Sequence, residues 1–126
     1  FEFIPWKDEK AVSDLGRIDI GTMPLPDDAW TRGKCAFKAI LHMSVGTPVV
    51  VSPVGMNTEV VKDGENGFFA RTEEEWVGRL SALIEDGKLR QRLGDAGRQT
   101  VEERYSFRVN APKLKAILEG SAACRR

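Results

Sequence analysis

Histidine, cysteine and net charge are all scarce in this chain, and each scarcity removes a class of function. His42 is the single histidine among 126 residues, so no site that needs two imidazoles can be built. Cys35 and Cys124, the two cysteines, stand far apart in no metal-ligand spacing, which argues against a disulfide scaffold or a zinc module. Lys and Arg number 19 against 19 Asp and Glu, which excludes a globally basic nucleic-acid binder and an acidic disordered tail. Aromatic residues make up 8%, and Trp6, Trp30 and Trp76 fall on three different expected elements, which suits packing better than a stacking platform. The longest apolar stretches, such as residues 48–51, run only a few positions, too short for a transmembrane segment. The front shows no signal-peptide pattern and does not begin with Met, so a fragment or a chain trimmed at its front is expected. With two unpaired cysteines, this sets an expectation of cytoplasmic residence.

What is present reads as a folded α/β domain. Residues 1–5 suggest a short strand closed by Pro5, and residues 8–15 a short helix with Ala11, Val12 and Leu15 on one face. A second strand is expected over residues 17–23, then a polar loop over 27–32 and an apolar helix over about 33–45. Residues 48–52 form a nearly continuous apolar run rich in valine, the pattern of a strand buried on both faces of a parallel sheet. A turn at residues 63–67 leads to a last short strand over 67–70. Thr72 and Glu75 form a capping box before a helix that places Trp76, Leu80, Leu83 and Ile84 together. Helices over 88–104 and about 107–119 follow, the second carrying Pro112, and residues 121–126 read as a frayed tail. This order predicts a mainly parallel sheet flanked by helices, whose ligands sit beyond the carboxyl ends of the strands. The loops over 24–34 and 52–59 are therefore the places to look.

Lys34, Lys38 and His42 recur at helical spacing along the expected 33–45 helix, with Arg32 just before it. Cations at a helix N-terminus oppose the macrodipole unless an anion is present, so the stripe beside Gly33 reads as a seat for phosphate. A second reading has Asp27 and Asp28 neutralise these lysines on a solvated face. Asp27 and Asp28 show no third ligand for a divalent metal. After the buried strand, Gly55 allows close backbone approach and Glu59 could accept hydrogen bonds from sugar hydroxyls. The plainer alternative makes them a turn glycine and the cap of a helical turn. Cys35, inside the expected apolar helix, reads as an inert thiol.

Several ordered motifs carry a resemblance to a known family. They are Ile18-Asp19-Ile20-Gly21-Thr22-Met23-Pro24-Leu25, the 34–38 segment and Met43-Ser44-Val45-Gly46-Thr47-Pro48-Val49-Val50. Gly55 with Glu59-Val60-Val61, the turn Asp63-Gly64-Glu65-Asn66-Gly67-Phe68, and the helices up to Tyr105 complete the set. Over residues 1–119 the chain resembles the group 1 (family 4) glycosyltransferases. The resemblance implies a GT-B architecture of two Rossmann-like domains, this chain being the later part of the C-terminal, donor-binding one. It implies that residues 1–120 form a partial donor-binding domain and that the partner to expect is a nucleotide-diphosphate sugar; no cofactor or metal is expected. Lys38 matches a lysine that contacts the donor diphosphate. Gly33 and Lys34 lie where the phosphate-and-sugar loop meets the helix, and Glu59 lies in the loop approaching the donor sugar.

Two departures stand out. Leu41 occupies the position of the family's ribose-binding glutamate, and Gly33 that of the first acid of its glutamate pair. The acceptor domain and the first two strand-helix units of the donor domain are also missing, which leaves the 18–23 strand with an open edge. The expectation is a homodimer through that edge and no turnover by this chain alone. A non-catalytic oligomerisation or interaction module that keeps the fold is the competing expectation.

Overall fold

The computed structural model describes residues 3–5 and 7–123. Three short strands, β1 (Gly21–Met23), β2 (Val49–Val51) and β3 (Phe68–Phe69), form one sheet in the order β1-β2-β3, parallel throughout. The expected mainly parallel α/β architecture is the one observed. Gly21 pairs with Val49 and Met23 with Val51, and Val50 and Val51 pair in turn with Phe68 and Phe69. β2 is central and all three of its valines are buried, as its apolar run requires. Val49 and Val51 join one core with Met23, Ala39, Met43 and Val101. Val50 faces the other, with Phe68, Ala70, Leu83 and Leu93. At about 25 cal/mol per Å² of apolar surface, such two-sided burial makes β2 the largest strand contribution to the fold.

The helices are α1 (Ala11–Leu15), α2 (Ala29–Arg32), α3 (Phe37–Ser44), α4 (Asn57–Val60), α5 (Glu73–Glu85), α6 (Gly87–Arg104) and α7 (Phe107–Ala123). A 3₁₀ turn over Asp8–Lys10 leads into α1. Thr72 caps α5 by accepting from the Glu75 N–H at 3.3 Å, but the Glu75 carboxylate reaches back to the Arg71 N–H at 2.6 Å rather than to Thr72. Asp86 caps α6 by accepting from the N–H groups of Lys88 and Leu89. α6 lies so close to the α3–β2 connection that a Cβ on Gly94 would sit 2.0 Å from the Gly46 carbonyl oxygen. Asn66 ties the turn before β3 to α6: it accepts from the Lys62 N–H at 2.7 Å and donates to Thr100 Oγ1 at 3.0 Å.

Several sequence expectations need correction. The 17–23 strand shrinks to Gly21–Met23, because residues 17–20 are spent on the turn that leaves α1. The 33–45 helix is two helices: α2 ends at Gly33, and α3 starts only at Phe37 after a left-handed Ala36 (φ 57°). Val12, Trp30 and Ile84, expected to pack, are exposed. Of the strand expected over residues 1–5, Phe1 and Glu2 lie outside the described residues, and residues 3–5 join no sheet. Trp6 and Cys124 also lie outside them, as do residues 124–126 of the expected tail, while α7 runs to Ala123. No helix among the described residues is long and apolar enough to cross a membrane.

Candidate functional site: a cationic cleft at the carboxyl end of the sheet

The chain leaving β1 is stitched to the chain leaving β2. The Leu25 N–H donates to Ser52 Oγ at 2.9 Å, and the buried Asn57 side chain donates to the Ser52 carbonyl at 2.8 Å. Gly55 has φ +54°, and a Cβ there would come within 2.6 Å of the Arg32 carbonyl oxygen. The turn reading of Gly55 holds, and the close approach that its missing Cβ admits is to the Arg32 backbone. That contact fixes the end of α2 and hence the 33–36 loop.

Asp28 caps α2, accepting from the Thr31 N–H at 2.8 Å while its own N–H donates to Thr31 Oγ1 at 3.2 Å. The Thr31 backbone hydrogen bond is the main reason its carboxyl sits below the ordinary carboxylate range. Asp27 pairs with Arg32 at 2.6 Å, and that hydrogen bond lowers the Asp27 pKa likewise. Arg32 is thus the cation that the neighbouring acids neutralise. Asp28 also feels the Lys34 charge, but among the described residues neither Lys34 nor Lys38 stands within ion-pair distance of a carboxylate.

Instead both line an open cleft of about 560 Å³ beyond the end of β1. Thr22, Met23, Pro24 and Leu25 form one wall, Gly33, Lys34 and Cys35 a second, and Phe37 and Lys38 of α3 the third. Ala36 offers α3 no side-chain cap, and the first turn of α3 holds no acid. An uncapped helix start flanked by two ammonium groups is an arrangement that an anion stabilises.

The structure therefore brings together Gly33, Lys34 and Lys38 but alters their setting. Lys34 lies four residues ahead of Lys38 in a loop, not on the helix. His42 leaves the expected stripe: its ring packs on β1, where a Cβ on Gly21 would sit 2.5 Å from it, and its Nδ1 is buried without a hydrogen-bond partner. Burial, then the Lys38 charge, holds the His42 pKa below the ordinary imidazole value. Glu59 is exposed on α4 and does not line this cleft. Cys35 is corrected from an inert helical thiol to an exposed one in the cleft wall. The exposed Phe37 was assigned no role from sequence, and the left-handed residue that turns it toward the cleft has no sequence signal, being alanine.

A parallel sheet flanked by helices, with a cleft beyond its strand ends, defines the Rossmann-like class of α/β domains. Residues 39–100 match the family model described as Glycosyl transferases group 1. Spore coat protein SA of Bacillus subtilis is 29% identical over 80 residues, 61% of this chain and 21% of that protein. The MMP alpha-(1->4)-mannosyltransferase of Mycolicibacterium hassiacum is 28% identical over 121 residues, 92% of this chain and 28% of its own length. The C-terminal domain of the group 1 family protein LpcC from Francisella tularensis superposes with a TM-score of 0.70 at 22% identity, covering 85% of this chain and 53% of that one. Anabaena Alr3699/HepE in complex with UDP-glucose superposes at 0.63 and 19% identity, over 83% of this chain and 29% of that one. Over residues 39–100, just under half of its length, the chain carries the match to the group 1 glycosyltransferases, and its fold is that of part of a C-terminal GT-B domain. It spans between a fifth and just over a quarter of the length of these curated relatives.

Proposed function

We propose that the chain is part of the nucleotide-sugar donor-binding domain of a glycosyltransferase, in which the whole enzyme transfers a sugar from a nucleotide diphosphate to an acceptor hydroxyl. Residues 1–120 form the partial domain in this reading. The observation that carries it is the pair of lysines, Lys34 and Lys38, with no carboxylate in ion-pair distance among the described residues, at the uncapped start of α3 in an open cleft. Two ammonium groups and the helix dipole together suit a diphosphate. Gly33 keeps the loop backbone accessible to phosphate oxygens. Glu59 meets the sugar only if the donor extends past the cleft toward α4. No side chain of the cleft is a general base, so the chain alone turns nothing over. The exposed free Cys35 fits a reducing, cytoplasmic setting.

Calorimetric titration with UDP, GDP and their sugar conjugates tests the reading, with Lys38→Ala alongside. Binding worth about 4–8 kcal/mol that Lys38→Ala abolishes is expected. Absence of binding to all of them rejects it.

The second reading, an assembly module that keeps the fold, has its own observation. β1 pairs only with β2, so one of its edges is unpaired among the described residues. A homodimer formed there is compatible with either reading.

A further inference from the structure

We infer that a second cleft, lying across the carboxyl ends of all three strands, binds a small molecule by its oxyanion, a carboxylate or a phosphate monoester, through Arg71 and the Ser52 hydroxyl. This cleft encloses about 340 Å³ and shares only Leu25 with the one described above, so the inference stands apart from the donor-site reading.

Each strand supplies part of the cleft as the chain leaves the sheet: residues 25–27 after β1, residues 52–54 after β2, and Arg71 just after β3. In open α/β sheets that end is where ligands are taken. Leu25, Pro26 and Pro53 give the cleft apolar surface, and its volume suits a small organic molecule. Asp27 is the one acid of the lining, and Arg32 takes its charge at 2.6 Å. The exposed Arg71 is therefore the charge the cleft presents, and among the described residues no carboxylate stands within ion-pair distance of it.

Ser52 adds a donor that is held in place. It is 7% exposed, and its Oγ accepts from the Leu25 N–H at 2.9 Å, which leaves its own proton with no acceptor among the described residues. A buried hydroxyl proton in that state is stabilised by an acceptor from outside the chain. A guanidinium offers two parallel N–H groups, which match the two oxygens of a carboxylate or two of a phosphate. Guanidinium and hydroxyl together select an oxyanion, with the body of the ligand against Leu25 and the two prolines.

Benzoate, phenyl phosphate and the neutral benzamide, titrated into the full chain and followed by its backbone amide resonances, test this, with Arg71→Gln and Lys38→Ala alongside. The anions are expected to shift the Leu25, Ser52 and Arg71 amides, and benzamide to bind about fivefold or more weakly. Arg71→Gln should weaken the anions at these amides by about fivefold or more, while Lys38→Ala leaves them unchanged. A response to one anion alone supports the inference and names the oxyanion. No shift with either anion, benzamide binding as tightly as benzoate, or an affinity indifferent to Arg71→Gln overturns it. Shifts confined to residues 33–38 and lost in Lys38→Ala overturn it too, and leave the donor-site reading standing. Arg71 is exposed and bonds within the chain through its backbone N–H, so Arg71→Gln leaves the fold in place to report.

Discussion

At the scale of single residues, glycines and one histidine decide how closely the elements approach. Gly94 and Gly78 both lie within helices, and alanine is the better helix former by about 1 kcal/mol at either. At Gly78 an added Cβ meets nothing within 4 Å, whereas at Gly94 it meets the Gly46 carbonyl at 2.0 Å. Backbone cannot yield as a flexible side chain does, so the two substitutions should have opposite signs. Gly78→Ala is expected to stabilise by up to about 1 kcal/mol, and Gly94→Ala to destabilise by about 1–3 kcal/mol net, read as midpoints in urea. His42 adds a pH dependence. Its folded pKa is depressed by burial and by Lys38, so as pH falls the unfolded chain takes up this proton first. Stability is therefore expected to decline below about pH 6.5, and His42→Phe should flatten that decline. Asp27, Asp28 and Glu74, whose pKa values are also lowered, act in a separate window below about pH 4.

At the scale of elements, the consequential feature is the break between α2 and α3. Its residues were legible only in part. Gly33 and Lys34 read as a helix start, and the carboxyl-end rule pointed to the 24–34 loop, so the place of the cleft followed from sequence. The break did not, because it turns on Ala36, a good helix former in a left-handed conformation that costs an L-residue about 1–2 kcal/mol. The close approach of Gly55 to Arg32, a contact across the chain, holds the end of α2 where that conformation is needed. β2 was legible for the opposite reason: a run of valines has few other uses. Ala36 also buries its methyl in the first core, so Ala36→Gly trades relief of strain against about 1 kcal/mol of lost burial and entropy. Near-neutral stability is expected for Ala36→Gly, while Ala36→Val, β-branched at positive φ, should cost about 2 kcal/mol or more. Thermal melts of the two variants check this, and a strongly destabilised Ala36→Gly would show that the methyl, not the turn, is what the position needs.

At the scale of the whole molecule, the sheet is left with an edge. Gly21 and Met23 direct their backbone groups at β2, the Gly21 N–H donating to the Pro48 carbonyl at 2.9 Å and the Met23 carbonyl accepting from Ser52 at 3.1 Å. Ladder alternation then turns the N–H and carbonyl of Thr22 outward. A strand edge in this state pairs readily with another chain, and strands elsewhere in a longer protein would serve equally. Strength is the deciding matter for a homodimer. Edge hydrogen bonds contribute about 1 kcal/mol each, and β1 is three residues long, whereas association costs at least about 4 kcal/mol of lost freedom. Pairing through this edge alone is therefore expected to give a dimer no tighter than about micromolar. Sedimentation equilibrium across a hundredfold range of concentration should show that weak self-association. Thr22→Pro removes the outward N–H while leaving both β2-facing bonds of the ladder, so it should shift the chain to monomer without unfolding it. Self-association unchanged in a folded Thr22→Pro chain would move the interface elsewhere, toward the exposed Phe107, Leu114, Ile117 and Leu118 of α7.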